Sequence, residues 1–335
     1  MTLETALEGW GFTADQAHLL AQHTWFHHKR KTDERIEQML DEITEVYNCS
    51  KEKTIDMITK FPQFAGLDHC RVVREATQVY GNSQQVINVI LKFPQFAGYD
   101  PVRVVREATC VYGDEQKVKQ AILRHPQFAG LDHVRVVQEA TMVYGDKQKV
   151  KQAILKFPPF VSLDHVRVVQ EATMVYGDEQ KVKQAILKYP PFAGYNHERV
   201  VREATQVYGD EQKVKQAILK FPSFAGFDHE RVMRERSRIG RIAGLDRQRV
   251  IDHIINNPVL VGYSAKRYLA GLDVARTLAA EGFEWNEIML KAFLCYYTKS
   301  PYVPGTDRQR ISHVPNAEQE PPLLKKMRSY LKNHQ

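Results

Sequence analysis

The sequence predicts an all-α fold, an α-solenoid (superhelix) of about eight two-helix repeats of 32 residues with helical caps. Three observations predict it. One sequence unit recurs without gaps, each copy reads as two amphipathic helices, and none of the 335 residues fall into the alternating pattern of a strand. A single copy cannot bury its apolar faces, so neighbouring copies must stack.

The copies are repeats 1 to 8 in chain order. Repeats 2 to 6 are close copies, whereas repeats 1, 7 and 8 are degenerate. The array is preceded by a helical N-terminal cap (1–33) and followed by a Pro-rich basic tail (302–335), and residues 263–301 hold the divergent last repeat. The repeats are 34–66, 67–98, 99–130, 131–162, 163–194, 195–226, 227–262 and 263–294.

Repeat 5 illustrates how the residues set the boundaries of each element. Asp164 is an N-cap for the first helix, which runs to Tyr176, and Gly177 can adopt the left-handed conformation that ends helices. Asp178 caps the second helix, and Pro190 stops it because proline lacks the backbone N–H. The tail that follows is expected to form a turn or a very short third helix.

The composition excludes several classes of protein. No apolar stretch approaches the roughly 20 residues of a membrane span, and the N-terminus resembles neither a secretory signal nor a transit peptide. The four cysteines have no paired spacing, which favours free thiols in a reducing compartment. No phosphate-binding, hydrolase or metalloprotease motif occurs. We therefore expect a monomer that is not an enzyme, with no cofactor, metal site or membrane contact.

Three positions of the first helix vary while the rest of the repeat is nearly constant. They are spaced i, i+4, i+8, so they form one stripe, predicted to lie on the surface opposite the apolar face. Exposed positions can drift freely, but drift would scatter over both helices, and Val, Met and Cys have no evident reason to be exposed. The stripe residues are Cys70, Arg74, Gln78, Val102, Arg106, Cys110, Val134, Gln138, Met142, Val166, Gln170, Met174, Glu198, Arg202, Gln206, Glu230 and Arg234.

The stripe has the chemistry of base recognition. Arg, Gln and Glu can make bidentate contacts with base edges, and Val and Met can contact a thymine methyl group. One small residue set per helical repeat is also how some repeat proteins read single RNA bases. The histidines that recur at the third position of five repeats are a feature of the repeat rather than a catalytic constellation.

Lysine and arginine side chains could contact phosphates. Residues 231–249 contain seven arginines against two carboxylates, which indicates either a phosphate-binding patch or a solvated helix surface. In the second helices, basic pairs seven residues apart share a face, although neighbouring carboxylates cancel much of their charge and solubility alone could explain them. The phosphate-binding candidates are Lys117, Arg124, Lys149, Lys156, Lys181, Lys188, Lys213, Lys220, Arg236, Arg238, Arg241, Arg247, Arg249, Lys266 and Arg267.

The repeat resembles that of the mitochondrial transcription termination factor (mTERF) family. The resemblance lies in the helix–KFPQFAG–turn–helix unit and in NPVLVGYSAKRY (257–268), which is similar to a family signature near the C-terminal end. It implies a superhelical solenoid with a basic groove for nucleic acid, most often double-stranded DNA. The near-identity of the copies is closer to modular base-reading arrays.

Together these features predict a nucleic-acid-binding solenoid, with double-stranded DNA favoured over RNA. The alternative is a scaffold that binds proteins or peptides, which the near-neutral charge of residues 1–230 favours. We expect a cytoplasmic or nucleoid-associated protein of a bacterium, with an organelle or a host nucleus as alternatives.

Overall fold

The computed structural model describes residues 3–22, 33–242 and 246–262. Within these ranges the regular structure is entirely helical, and adjacent helix pairs pack in tandem, which confirms the all-α solenoid. The described residues fall into two compact units, one ending at Val169 and one beginning at Gln170. Repeat 8 and the tail lie outside the described residues.

The helices follow the predicted repeat. The α-helices are α1 Leu3–Gly9, α2 Ala14–Ala21, α3 Asp33–Tyr47, α4 Lys51–Lys60, α5 His69–Tyr80, α6 Ser83–Lys92, α7 Pro101–Tyr112, α8 Glu115–Arg124, α9 His133–Tyr144, α10 Lys147–Lys156, α11 His165–Tyr176, α12 Glu179–Lys188, α13 His197–Tyr208, α14 Glu211–Lys220, α15 His229–Ile242 and α16 Arg247–Asn256. The 3₁₀ helices that end the repeats are Pro62–Gly66, Pro94–Gly98, Pro126–Gly130, Pro158–Ser162, Pro190–Gly194, Pro222–Gly226 and Pro258–Gly262.

The predicted caps of repeat 5 are confirmed. The Asp164 carboxylate accepts a hydrogen bond from the backbone N–H of Arg167 at 3.0 Å, and Asp178 accepts one from Lys181 at the same distance. Gly177 has φ of 80°, the left-handed conformation that most side chains avoid. The short third element is a 3₁₀ helix, which begins at Pro190.

Two buried helix faces and one phenylalanine form the core of each repeat. In repeat 4, α9 buries Val137, Ala140 and Tyr144. The second helix, α10, buries Ile154 among others, and Phe160 of the 3₁₀ helix is completely buried. Burial of a large apolar side chain stabilises the fold by about 2 kcal/mol. The same core therefore recurs in each repeat, as the periodicity predicts.

A trio of rings joins consecutive repeats. Tyr144 at the end of α9 lies against Phe160, with ring centroids 5.6 Å apart, and both contact His165 at the start of the next repeat. Burial lowers the pKa of these histidines, so they pack as neutral rings. The equivalent trios are Tyr47, Phe64 and His69; Tyr112, Phe128 and His133; Tyr176, Phe192 and His197; and Tyr208, Phe224 and His229.

The N-terminal cap begins with the two predicted short helices. A capping box starts α2: the Thr13 hydroxyl accepts from the Gln16 backbone N–H, and the Gln16 side chain accepts from the Thr13 N–H. Leu7, Phe12 and Leu20 are buried between these helices and their surroundings. The cap therefore contributes apolar side chains of its own to the buried core.

Candidate nucleic-acid interface

The variable stripe lies on the surface, as predicted. In each of repeats 2 to 6 all three stripe residues are exposed, and in repeat 7 Glu230 and Arg234 are exposed. The cause is the helical period: positions such as Val137, Ala140 and Tyr144 occupy the buried face of the same helix.

The stripe also holds nearly all of the exposed large apolar side chains. Within the described residues six such side chains are exposed, and five of them are stripe positions. Met142 and Met174 are the extremes, at 79% and 81% exposure. Leaving a large apolar side chain in water forgoes about 2 kcal/mol. The other exposed apolar residues of the stripe are Val102, Val134 and Val166.

Stripe residues of consecutive repeats line shared clefts between first helices. Cleft 5/6, of about 450 Å³, is lined by Met174 from repeat 5 and by Glu198, Arg202 and Gln206 from repeat 6. Cleft 6/7, of about 580 Å³, is lined by Gln206 together with Glu230 and Arg234 of repeat 7. A group entering a cleft therefore meets stripe residues of two repeats, a relation that no single repeat reveals.

Acidic and basic groups are balanced in these two clefts. In cleft 5/6, Glu198 and Glu211 accompany Arg202 and Lys215, and Lys215 pairs with Glu211 at 2.6 Å. In cleft 6/7, Asp246 and Arg247 add one charge of each sign. The clefts thus offer donors and acceptors without a strong net charge, which suits hydrogen bonding to polar edges better than binding of phosphate.

The predicted lysines at the starts of the second helices are exposed but paired. Each forms an ion pair with the aspartate that caps its own helix, at distances from 2.7 to 3.8 Å. Pairs this exposed contribute little to stability, so these lysines stay accessible to a phosphate. The pairs are Lys117 with Asp114, Lys149 with Asp146, Lys181 with Asp178, and Lys213 with Asp210.

Two predicted lysines at the ends of second helices connect neighbouring repeats. The Lys188 ammonium donates to the backbone carbonyl of Lys220 at 2.9 Å, and the Lys220 ammonium donates to the carbonyl of Asn256 at 2.9 Å. Both side chains cap the last turn of the next second helix, whose carbonyls lack helical partners. Lys156 occupies the equivalent position of repeat 4 and is exposed.

The second helices of repeats 2 to 4 enclose two further clefts. Cleft 2/3, of about 590 Å³, is lined by Lys92 and Arg124, and cleft 3/4, of about 530 Å³, is lined by Arg124, Lys151 and Lys156. No stripe residue lines either cleft. The structure therefore does not bring the stripe and these phosphate candidates together in one cleft.

One member of the arginine run is not a surface residue. Arg236 is 3% exposed, and its guanidinium donates to the carbonyl of Leu260 at 3.4 Å. The prediction that it contacts phosphate is wrong for this conformation, because its charge is enclosed by the fold. Arg247 and Arg249 are exposed as predicted. The side chains of Arg238, Arg241, Lys266 and Arg267 lie outside the described residues.

Sequence reasoning missed Lys92 and Lys151 as basic groups of a cleft. The available signal was Lys147, which stands where repeats 3, 5 and 6 have glutamate. That exchange removes the carboxylate four residues before Lys151. The consequence of this exchange for Lys151 depends on cleft 3/4, which lies between two repeats and is not evident from the sequence of one repeat.

No metal-binding cluster is found in the described part of the chain. Within those ranges no group of three or more His, Cys, Asp or Glu side chains is arranged to hold a metal ion. Cys70 and Cys110 are exposed free thiols of the stripe, and Cys49 is half-buried. None of the helices described is both long and apolar enough to cross a membrane.

Comparison with known proteins adds no family. No protein-family model matches the chain, and no curated protein sequence matches it. The resemblance to the mTERF repeat stays a prediction.

Proposed function

We propose that this protein binds nucleic acid, with double-stranded DNA as the ligand, and reads it repeat by repeat through the stripe of the first helices. The observation that carries the proposal is the location of sequence variation. Along the first helices of repeats 2 to 6, Pro101 apart, the residues differ only at the stripe positions, which are exposed on one face, and five of the stripe side chains are large and apolar.

The side chains of the stripe match the groups on base edges. Arg202 and Gln206 can each form two hydrogen bonds with one base edge in the major groove, and Glu198 can accept a hydrogen bond from a cytosine amino group. Met142 and Met174 can contact a thymine methyl group. Each good bidentate pair with a base edge gives discrimination of about 1–3 kcal/mol against the wrong base.

Basic side chains of the second helices and of the arginine run supply phosphate contacts. Lys117, Arg124 and Arg247 are exposed, and phosphate contacts fix register without reading sequence. They also make affinity depend on salt, because each neutralised phosphate releases condensed counterions.

A salt titration of binding to a mixed-sequence duplex tests this function. Affinity is expected to fall steeply between about 50 and 200 mM salt through counterion release. Absence of binding at about 50 mM salt would overturn the proposal. A single-stranded RNA of the same sequence, titrated in parallel, identifies RNA as the ligand if it binds more tightly than the duplex.

A peptide-binding scaffold is the second candidate function. The balanced charge of clefts 5/6 and 6/7, together with exposed Met174, favours it, since such clefts also accommodate amphipathic peptides. In the same titration the scaffold function predicts no affinity for duplex at any salt concentration.

A further inference from the structure

Cleft 3/4 is lined mainly by cations and amides. Arg124, Lys117, Lys151 and Lys156 line it, and Asp114 is its one carboxylate. Asp114 is already engaged by Lys117, whose ammonium lies 2.7 Å from its Oδ2. The net charge that cleft 3/4 presents to a ligand is therefore positive. The amide side chains of the cleft are those of Gln120, Gln148 and Gln152.

An exchange that distinguishes repeat 4 from repeats 3, 5 and 6 leaves Lys151 without a glutamate partner. In repeats 3, 5 and 6 the equivalent lysine pairs at 2.6 Å with a glutamate four residues earlier. In repeat 4 that position is Lys147, and among the described residues Lys151 makes no ion pair and lines cleft 3/4. The pairs elsewhere are Lys119 with Glu115, Lys183 with Glu179, and Lys215 with Glu211.

Arg124 extends this basic region to the preceding repeat. It lines both cleft 3/4 and cleft 2/3, and cleft 2/3 adds Lys92 and His125 without any carboxylate. The planar guanidinium has five N–H donors and matches phosphate geometry. Its position between two clefts suits a chain of phosphates better than a single anion.

We infer that clefts 2/3 and 3/4 form a binding site for the phosphodiester backbone of nucleic acid, with Arg124 and Lys151 as its central contacts. The inference rests on the proposed function and assigns backbone contact to a surface separate from the stripe. The amides complete the site, because they donate to phosphate oxygens without adding charge. Repeat 4 is the source of the site, since its Lys147 leaves Lys151 without the glutamate found elsewhere.

The variant Lys147→Glu tests this inference without threatening the fold. It introduces the residue that three sister repeats carry at the same position, and it restores a partner for Lys151. The matched control is Lys51→Glu, which makes the same change of charge at the first residue of the second helix of repeat 1, where Lys51 is exposed and lines neither cleft. Lys151→Gln removes the proposed contact directly.

Two probes separate this inference from the proposed function. Binding to a mixed-sequence duplex of about 20 base pairs is measured at several salt concentrations. For Lys147→Glu and Lys151→Gln we expect about tenfold weaker affinity and a salt slope smaller by about 1, and for Lys51→Glu a change under about twofold. Binding of inorganic tripolyphosphate by calorimetry should follow the same order.

Each outcome decides one or both ideas. Equal duplex affinity of all three variants would overturn the inference and leave the proposed function standing. Tripolyphosphate binding that is lost in Lys147→Glu, without duplex binding by the unmodified protein, overturns the proposed function and also the nucleic-acid ligand inferred for clefts 2/3 and 3/4. Failure of the unmodified protein to bind either probe overturns both.

Discussion

The hydroxyl of Tyr144 lies 3.3 Å from Nδ1 of His165, inside the ring trio that joins repeats 4 and 5. The tyrosine ends the first helix of one repeat, and the histidine begins the first helix of the next. A polar contact between two buried rings at a junction satisfies groups that would otherwise be costly to bury. The contact therefore contributes to the junction between repeats 4 and 5.

Tyr144→Phe is expected to lower the free energy of unfolding by about 1 kcal/mol, because it leaves the His165 ring without its partner. Tyr80→Phe is the matched control. Pro101 stands where other repeats have histidine, and among the described residues the buried Tyr80 hydroxyl has no hydrogen-bond partner. Its removal should cost nothing or stabilise slightly. Equal losses in urea denaturation of the two variants would contradict this role for the contact.

Acid is expected to destabilise the array through its buried histidines. Burial lowers the pKa of His133 from 6.5 to about 4, and the pKa values of His69, His197 and His229 fall likewise to about 4. Between pH 6.5 and about pH 4, these histidines bind protons in the unfolded chain but not in the folded chain. The stability that the neutral, buried histidines contribute is present above pH 6.5 and is lost as the pH falls through about 4.

Each of these histidines contributes up to about 3 kcal/mol to that loss. Urea denaturation at pH 7 and pH 5 measures the part of this loss that falls between those values, about 2 kcal/mol per histidine. The variant His133→Gln cannot gain a proton in this range, so its free energy of unfolding should depend less on pH than that of the unmodified protein. An unchanged pH dependence in this variant would show that His133 is not the source.

Local features of the fold could be predicted from sequence, and contacts between separate helices could not. Asp164, Gly177 and Pro190 mark helix ends because each acts on its own backbone. The burial of Arg236 depends on the carbonyl of Leu260 in the 3₁₀ helix that ends its repeat. The exposure of the stripe could be predicted from helical periodicity alone. The sharing of a cleft by two repeats could not, because it depends on how one first helix packs on the next.

Arg202→Gln is expected to change the preferred base at one position of the bound site. Arg202 lines cleft 5/6, and its guanidinium is suited to guanine, whereas glutamine is suited to adenine. The original base should lose about 1–3 kcal/mol of binding free energy, measured by competition between duplexes. Arg199→Gln is the control in the same helix, because Arg199 pairs with Glu203 at 2.7 Å and does not line the cleft. Arg199→Gln should weaken all duplexes alike or none. The same shift in both variants would contradict the assignment of the cleft.

Selection of bound duplexes from a random pool tests the reading of bases by the stripe most directly. Repeats 4 and 5 carry identical stripe residues, and repeats 2 and 6 share Arg and Gln at two of the three positions. We expect a motif with one position per repeat, in which two adjacent positions prefer the same base and the positions of repeats 2 and 6 prefer related bases. A bound pool without any sequence preference would contradict it.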